Sequence, residues 1–220
     1  MKREDIKHPA KYTDCLLPHF IEMLPQNAYV LDPFAGTGKI HLLQNKTVGL
    51  EIEPEWASMH KDTICGDATK MPFDDGIFDA VVTSPTYGNR MADHHNAKDA
   101  SKRITYTHVL GRNLHENNSG KMHFGDKYKE LHQKVYVECK RVLKNNGIFI
   151  LNVKNFIKKG TEIDVHQWHC KTLNKLGFEL LETRKVEVNG NGFGANRNKR
   201  VDYEYISKFQ KKHITSLTGG

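Results

Sequence analysis

No apolar run in these 220 residues approaches the roughly 20 needed to span a bilayer. The longest are Gly147-Ile148-Phe149-Ile150-Leu151 and Ala80-Val81-Val82, so no membrane partner is expected. Cysteine is scarce: Cys15, Cys65, Cys139 and Cys170 make no C-x-x-C pair, which argues against a zinc ribbon or a redox dithiol. They read as reduced cytosolic thiols, mostly small core residues. No repeat or low-complexity stretch occurs. No basic-then-apolar leader opens the chain, because Met1-Lys2-Arg3-Glu4-Asp5 runs into mixed polar sequence, so a cytoplasmic rather than secreted protein is expected. Acidic residues are too few to balance the basic ones: 26 Asp and Glu stand against 33 Lys and Arg, a net charge of +7. With 13 His, that excess points to an anionic partner, nucleic acid first.

What is present is an alternation of strand-like and helix-like segments. Leu16, Leu17, Phe20, Ile21 and Leu24 recur at spacings of three and four, predicting a helix over 13–24. Strands are expected at 29–31, 47–50, 63–65 and 78–83, with a two-turn helix after Gly38 and another over 55–60 behind Pro54. A long helix over 127–143 leads to a buried strand at 147–153. A helix over 164–176 ends at Gly177, and strands follow at 178–188 and 201–206. This order predicts a single α/β domain over 1–220: a doubly wound, mostly parallel seven-stranded sheet with an antiparallel terminal hairpin. Residues 89–126 hold almost no apolar period and read as a long substrate-binding insertion.

The chemistry begins at Val30-Leu31-Asp32-Pro33-Phe34-Ala35-Gly36-Thr37-Gly38, a strand, a glycine turn and a helix. Gly36 and Gly38 let the backbone approach a ligand and aim N–H groups at it. The third glycine of a dinucleotide fingerprint is absent, since His41 stands there. The phosphate-loop signature also fails, because Ile40 follows Lys39 and no glycine precedes Gly38 by five residues. Glu51 ends the second strand, 15 residues after Gly36, where it can accept hydrogen bonds from ribose hydroxyls. Asp67 follows the third strand, where it can meet an adenine amino group. Asp32, Glu51 and Asp67 thus cap three consecutive strands, as in a nucleoside site. Val82-Thr83-Ser84-Pro85-Thr86-Tyr87-Gly88-Asn89-Arg90 then caps the fourth.

These motifs together resemble the class I S-adenosylmethionine-dependent DNA methyltransferases of the exocyclic-amino family, which methylate cytosine N4 or adenine N6. Asp32-Pro33-Phe34-Ala35-Gly36-Thr37-Gly38 is similar to that family's cofactor loop, and Ser84-Pro85-Thr86-Tyr87 to its catalytic motif. Lys7-His8-Pro9-Ala10-Lys11-Tyr12 resembles the segment that closes over the methionine end of the cofactor. The resemblance runs from Lys7 to Phe209 and implies a Rossmann-like methyltransferase fold with S-adenosyl-L-methionine as cofactor. The implied cofactor contacts are Lys11, Tyr12, Asp32, Pro33, Phe34, Ala35, Gly36, Gly38, Glu51, Ile52, Asp67, Ala68 and Ser84. It implies Ser84, Pro85 and Tyr87 as the catalytic set. One departure stands out: Thr86 occupies a position that is usually proline, relaxing a rigid turn.

An exocyclic base nitrogen is a poor nucleophile, because its lone pair is delocalised into the ring. Acceptors at Ser84 and the Pro85 carbonyl are expected to bind its two hydrogens and turn the lone pair toward the methyl group. The base must leave the duplex to reach them, and Tyr87 is expected to stack on it. Double-stranded DNA is therefore the expected partner. Asn89, Arg90, Lys102, Arg103 and Arg112 in the insertion, with Arg197 and Arg200 in the last hairpin loop, are candidate nucleic-acid contacts. His94-His95 lacks ligand-spaced partners, so no metal is expected; His166 and His169 read as surface residues. Ser84 after Thr83 favours cytosine N4 over adenine N6. The rival readings are an RNA base N-methyltransferase and a non-catalytic nucleic-acid-binding subunit of the same fold.

Overall fold

Hydrophobic strands separated by amphipathic helices must bury both faces of a sheet, and the chain does so. The computed structural model describes residues 14–88, 106–188 and 201–212. The strands are β1 (Tyr29–Asp32), β2 (Lys46–Glu51), β3 (Thr63–Cys65), β4 (Phe78–Thr83), β5 (Leu143–Val153), β6 (Phe156–Lys158), β7 (Thr161–Ile163), β8 (Phe178–Glu187) and β9 (Tyr203–Lys211). The helices are α1 (Leu17–Met23), α2 (Pro54–Ala57), α3 (Tyr106–Leu110), α4 (Asp126–Val142) and α5 (Val165–Lys175).

Seven strands form one sheet in the order β3-β2-β1-β4-β5-β9-β8. The first five are parallel, with Leu31 between Val48 and Val81 and with Val82 beside Ile150. β9 runs antiparallel between β5 and β8, pairing Asn152 with Ile206 and Glu204 with Val186. The direction of winding reverses between β1 and β4. Their carboxyl ends therefore open a crevice at the switch point, where open α/β sheets bind ligands.

Each face has its own core. On one, α4 presents Val135, Tyr136, Cys139 and Val142, at helical spacing, to Phe149 and Leu151 of β5. On the other, Phe20 and Met23 of α1 pack on Val30, Ile148 and Ile150. α5 starts where Asp164 accepts the Gln167 N–H at 2.9 Å, a side-chain cap. No described helix is long and apolar enough to cross a membrane.

The expected seven-stranded sheet and terminal antiparallel hairpin are present, and four details differ. Asp14–Leu16 and Lys39–Leu42 are 3-10 turns rather than α-helix, and α2 is a single turn. β6 and β7 form a separate two-stranded hairpin that the sequence reading missed. The stretch 89–126 contains α3 and a 3-10 turn at Ser119–Lys121 rather than a featureless loop. Cys15 and Cys65 are exposed, so only Cys139 and Cys170 behave as core residues.

Candidate active site

At the crevice the chain leaves β1 through a glycine turn held by carboxylates. Asp32, fully buried, accepts the Phe34 N–H at 3.0 Å. Gly36 takes φ +54° and Gly38 φ +82°, left-handed values that favour glycine. Glu51 grips the turn: Oε2 accepts the Gly36 N–H and Oε1 accepts the Glu53 N–H, both at 2.8 Å. Burial pushes the Glu51 carboxyl up to about 7, only partly opposed by these two N–H groups. His41, at the missing third glycine, fills the space between β2 and β3. Its Nδ1 meets Thr47 Oγ1 at 2.8 Å and its Nε2 meets Thr63 Oγ1 at 2.9 Å. His41 also stacks on His60, with ring centres 3.8 Å apart. His41, His60 and Asp62 lie close together, but both His41 nitrogens are already engaged by threonine hydroxyls.

Asp67, beyond β3, accepts the Thr69 N–H and hydroxyl on one oxygen and the Asn117 amide on the other at 2.7 Å. Burial opposes its ionisation, yet these donors outweigh it and hold its carboxyl below the usual range. Asn117 belongs to a flap over residues 106–121. Buried Glu53 gathers that flap: Oε1 accepts the His115 N–H and the Asn118 amide, and Oε2 accepts Arg112 at 2.7 Å. Arg112 also donates to Glu55, which its hydrogen bonds hold below the usual carboxylate range. In this arrangement two glutamates pair with Arg112, and it fastens the flap. Tyr106 packs edge-on against Trp56, closing the flap's apolar side.

The tip of β4 carries the remaining chemistry. The Asn152 amide donates to the Tyr205 carbonyl at 3.3 Å, which turns its Oδ1 toward Ser84. The Ser84 hydroxyl donates to that Oδ1 at 2.9 Å. The Tyr87 hydroxyl donates to Glu204 Oε2 at 3.2 Å, and its ring packs on the core beneath. Ser84 Oγ and Tyr87 Oη then face each other at 3.5 Å with both hydrogens spent elsewhere, so each presents lone pairs.

Thr86, at the position usually proline, is pinned by hydrogen bonds instead. Its hydroxyl donates to Ser119 Oγ at 2.8 Å, and its carbonyl accepts the Tyr128 hydroxyl at 2.6 Å. Because Tyr128 spends its hydrogen there, His169 must donate to Tyr128 from Nε2 and accept the Tyr136 hydroxyl at Nδ1. His169 is fully buried, and burial pushes its pKa well below the ordinary value. His166 is half-buried and meets Ser207 Oγ at 2.8 Å. The expectation that both are surface residues is corrected on this ground. Gly88 follows at φ +71°; a Cβ there would lie 2.9 Å from the Phe124 backbone.

One cavity of about 350 Å³ joins these parts. Pro33, Phe34, Ala35, Gly36, Glu51 and Ile52 line it at one end, with Asp67 and Ala68 beside them. Ser84, Pro85 and Tyr87 line the other. Asp32 and Gly38 are not part of the wall; they shape the turn behind it. Its size suits a small-molecule cofactor. A glycine turn, a carboxylate after β2 and another after β3 offer what an aminoacyl nucleoside requires. Lys11, Tyr12, Asn89, Arg90, His94, His95, Lys102, Arg103, Arg197 and Arg200 lie outside the described residues.

Glu204, Lys154, Trp56, Tyr106 and Asn118 also line the cavity and were not expected there, and Asn152 holds Ser84 from behind. Asn152 had a signal: it is an amide inside the otherwise apolar 147–153 run, and a buried polar side chain needs a partner. Glu204 had none, being 117 residues from the tyrosine it meets.

Comparison with known proteins agrees with this geometry. No curated protein sequence matches significantly. Solved structures share the fold at low identity. The cyclase SpnF superposes with a TM-score of 0.58 at 15% identity, over 90% of this chain and 81% of that one. An S-adenosylmethionine-dependent methyltransferase from Methanosarcina mazei gives 0.58 at 14%, over 89% and 97%. A protein from Pyrococcus horikoshii gives 0.55 at 18%, over 90% and 88%. Such likeness shows architecture alone, and a cyclase among the neighbours makes the point. A family model described as DNA methylase matches residues 78–217, from β4 through β9. By that match the chain belongs to the N6/N4 DNA methylase family, a methyltransferase whose cofactor is S-adenosylmethionine.

Proposed function

We propose that the enzyme methylates an exocyclic amino group of a DNA base extruded from the duplex, cytosine N4 ahead of adenine N6. The observation that carries this reading is the Ser84–Asn152 hydrogen bond. It commits the serine hydrogen and leaves the oxygen as an acceptor facing the cavity, which suits an N–H donor. The Pro85 carbonyl supplies a second acceptor for the other amino hydrogen. Two such contacts hold the amino group and turn its lone pair out of conjugation. When bound, S-adenosylmethionine supplies an electrophilic methyl on a sulfonium centre. In this reading Glu51 and Asp67 accept from its ribose and adenine, and Gly36 allows close approach. A base stacked in its helix cannot reach so recessed a serine, which supports extrusion. Ser84 following Thr83 is what favours cytosine.

The test is product identity. Unmethylated duplex DNA is incubated with the enzyme and labelled cofactor, digested to nucleosides and analysed by mass. N4-methyldeoxycytidine is expected. N6-methyldeoxyadenosine would move the target to adenine, and an unmethylated digest would reject the reading. Ser84→Ala should lower the single-turnover rate by about a hundredfold and leave cofactor affinity unchanged.

A further inference from the structure

Glu204 is a carboxylate in an unusual place. β9 inserts between β5 and β8, and its first residues lie beside the carboxyl end of β5. That register carries Glu204 to the mouth of the crevice, where it lines the same cavity as Ser84, Pro85 and Tyr87. The residue is only 7% exposed. Its Oε2 accepts the Tyr87 hydroxyl at 3.2 Å. Keeping a carboxylate so little exposed against a cavity is costly unless a group in that cavity uses it.

We infer that Glu204 is the proton acceptor of the methyl transfer. This deepens the amino-methylation reading and rests on it. As the amino nitrogen attacks, an N–C bond forms from its lone pair. The S–CH3 bond breaks and the sulfur keeps that electron pair, becoming a neutral thioether. The nitrogen, now tetrahedral and carrying a methyl and a positive charge, turns one N–H away from its Ser84 contact and loses that proton to the Glu204 carboxylate. One cation and one carboxylate enter the step; a thioether and a carboxylic acid leave it. No net charge remains in the cavity afterwards, which favours transfer in a site of low polarity. The Tyr87 hydroxyl holds Oε2 and so steadies the carboxylate at the cavity wall.

Glu204→Gln keeps an oxygen to accept from Tyr87 but cannot take a proton. The single-turnover methylation rate of E204Q should fall by about a hundredfold or more. Calorimetric affinity for S-adenosylhomocysteine, and DNA affinity in its presence by fluorescence anisotropy, should stay within about twofold of the parent. In E204A, formate should restore methylation in proportion to its concentration, and chloride should not. The inference is overturned if E204Q methylates at the parent rate, or if weakened binding accounts for its loss. It is also overturned if formate fails to rescue an E204A protein that still binds S-adenosylhomocysteine. Should E204A not fold, E204Q decides alone. A parent enzyme that methylates no base fails the underlying reading, whereas an active parent matched by E204Q fails only this one.

Discussion

Glu51 does two jobs with one carboxylate, and pH separates them. It holds the Gly36 turn, and it is proposed to receive ribose hydroxyls, which donate best to the ionised form. Burial, with Glu53 and Asp32 nearby, keeps its proton on until about pH 7, against an ordinary value of 4.5. A raised carboxyl pKa contributes stability that is fully present below 4.5 and lost as pH rises through about 7. Cofactor affinity should move the other way, because below pH 7 the proton must leave first. Titration calorimetry from pH 6 to 8 should show affinity rising, by about tenfold per unit well below the midpoint, then levelling off. Glu51→Gln should bind more weakly and lose most of this dependence; a parent profile that is flat across the range would refute the assignment. At this scale the acids at the strand tips could be picked out as candidates because an acid at the end of an apolar run is a local pattern. The partners of those acids could not. That Glu51 grips Gly36, or that Asn152 aims Ser84, depends on which strands lie side by side.

Among the elements, the flap over 106–121 shows why a polar stretch can be ordered without a hydrophobic period. α3 is barely more than one turn, too short to declare itself by periodicity. Its order comes from Glu53, buried just before α2, which satisfies donors from Arg112, His115 and Asn118 at once. Nothing near Glu53 in the chain announces this, since those donors lie about 60 residues on. The long helix α4 was legible because seventeen residues carry several turns of apolar spacing. Arg112→Ala removes one donor and leaves the Glu53 Oε2 short of a partner. The arginine is substantially exposed, so the cost to global stability should be modest, about 1 kcal/mol or less. The flap itself should loosen. Amide exchange should speed up at residues 110–121 and stay unchanged in β4 and β5, and cofactor should bind several-fold more weakly. If exchange in the flap is unaltered, Glu53 and Arg112 are not its fastening.

Across the whole molecule, the mostly parallel sheet and its antiparallel terminal hairpin were inferable from alternating strands and helices, because a parallel pair needs a covering crossover and a helix-free connection implies an antiparallel return. Arg197 and Arg200 belong to the sequence that connects β8 to β9. The chain's net charge of +7 makes a nonspecific attraction to DNA the starting expectation, so a single affinity cannot tell contact from background. Salt can. Each phosphate neutralised releases condensed counterions, and log affinity for duplex DNA falls with log salt by about 0.9 per contact. Replacing Arg197 and Arg200 together with alanine should make the slope shallower by about 2 if each holds one phosphate. Substituting Lys171 and Lys175 on α5, removing the same charge elsewhere, should alter it far less. Equal slopes in the two double variants would mean that net charge alone governs binding. An unchanged slope in the Arg197/Arg200 variant would remove that loop from the DNA interface and leave the insertion as its remaining proposed seat.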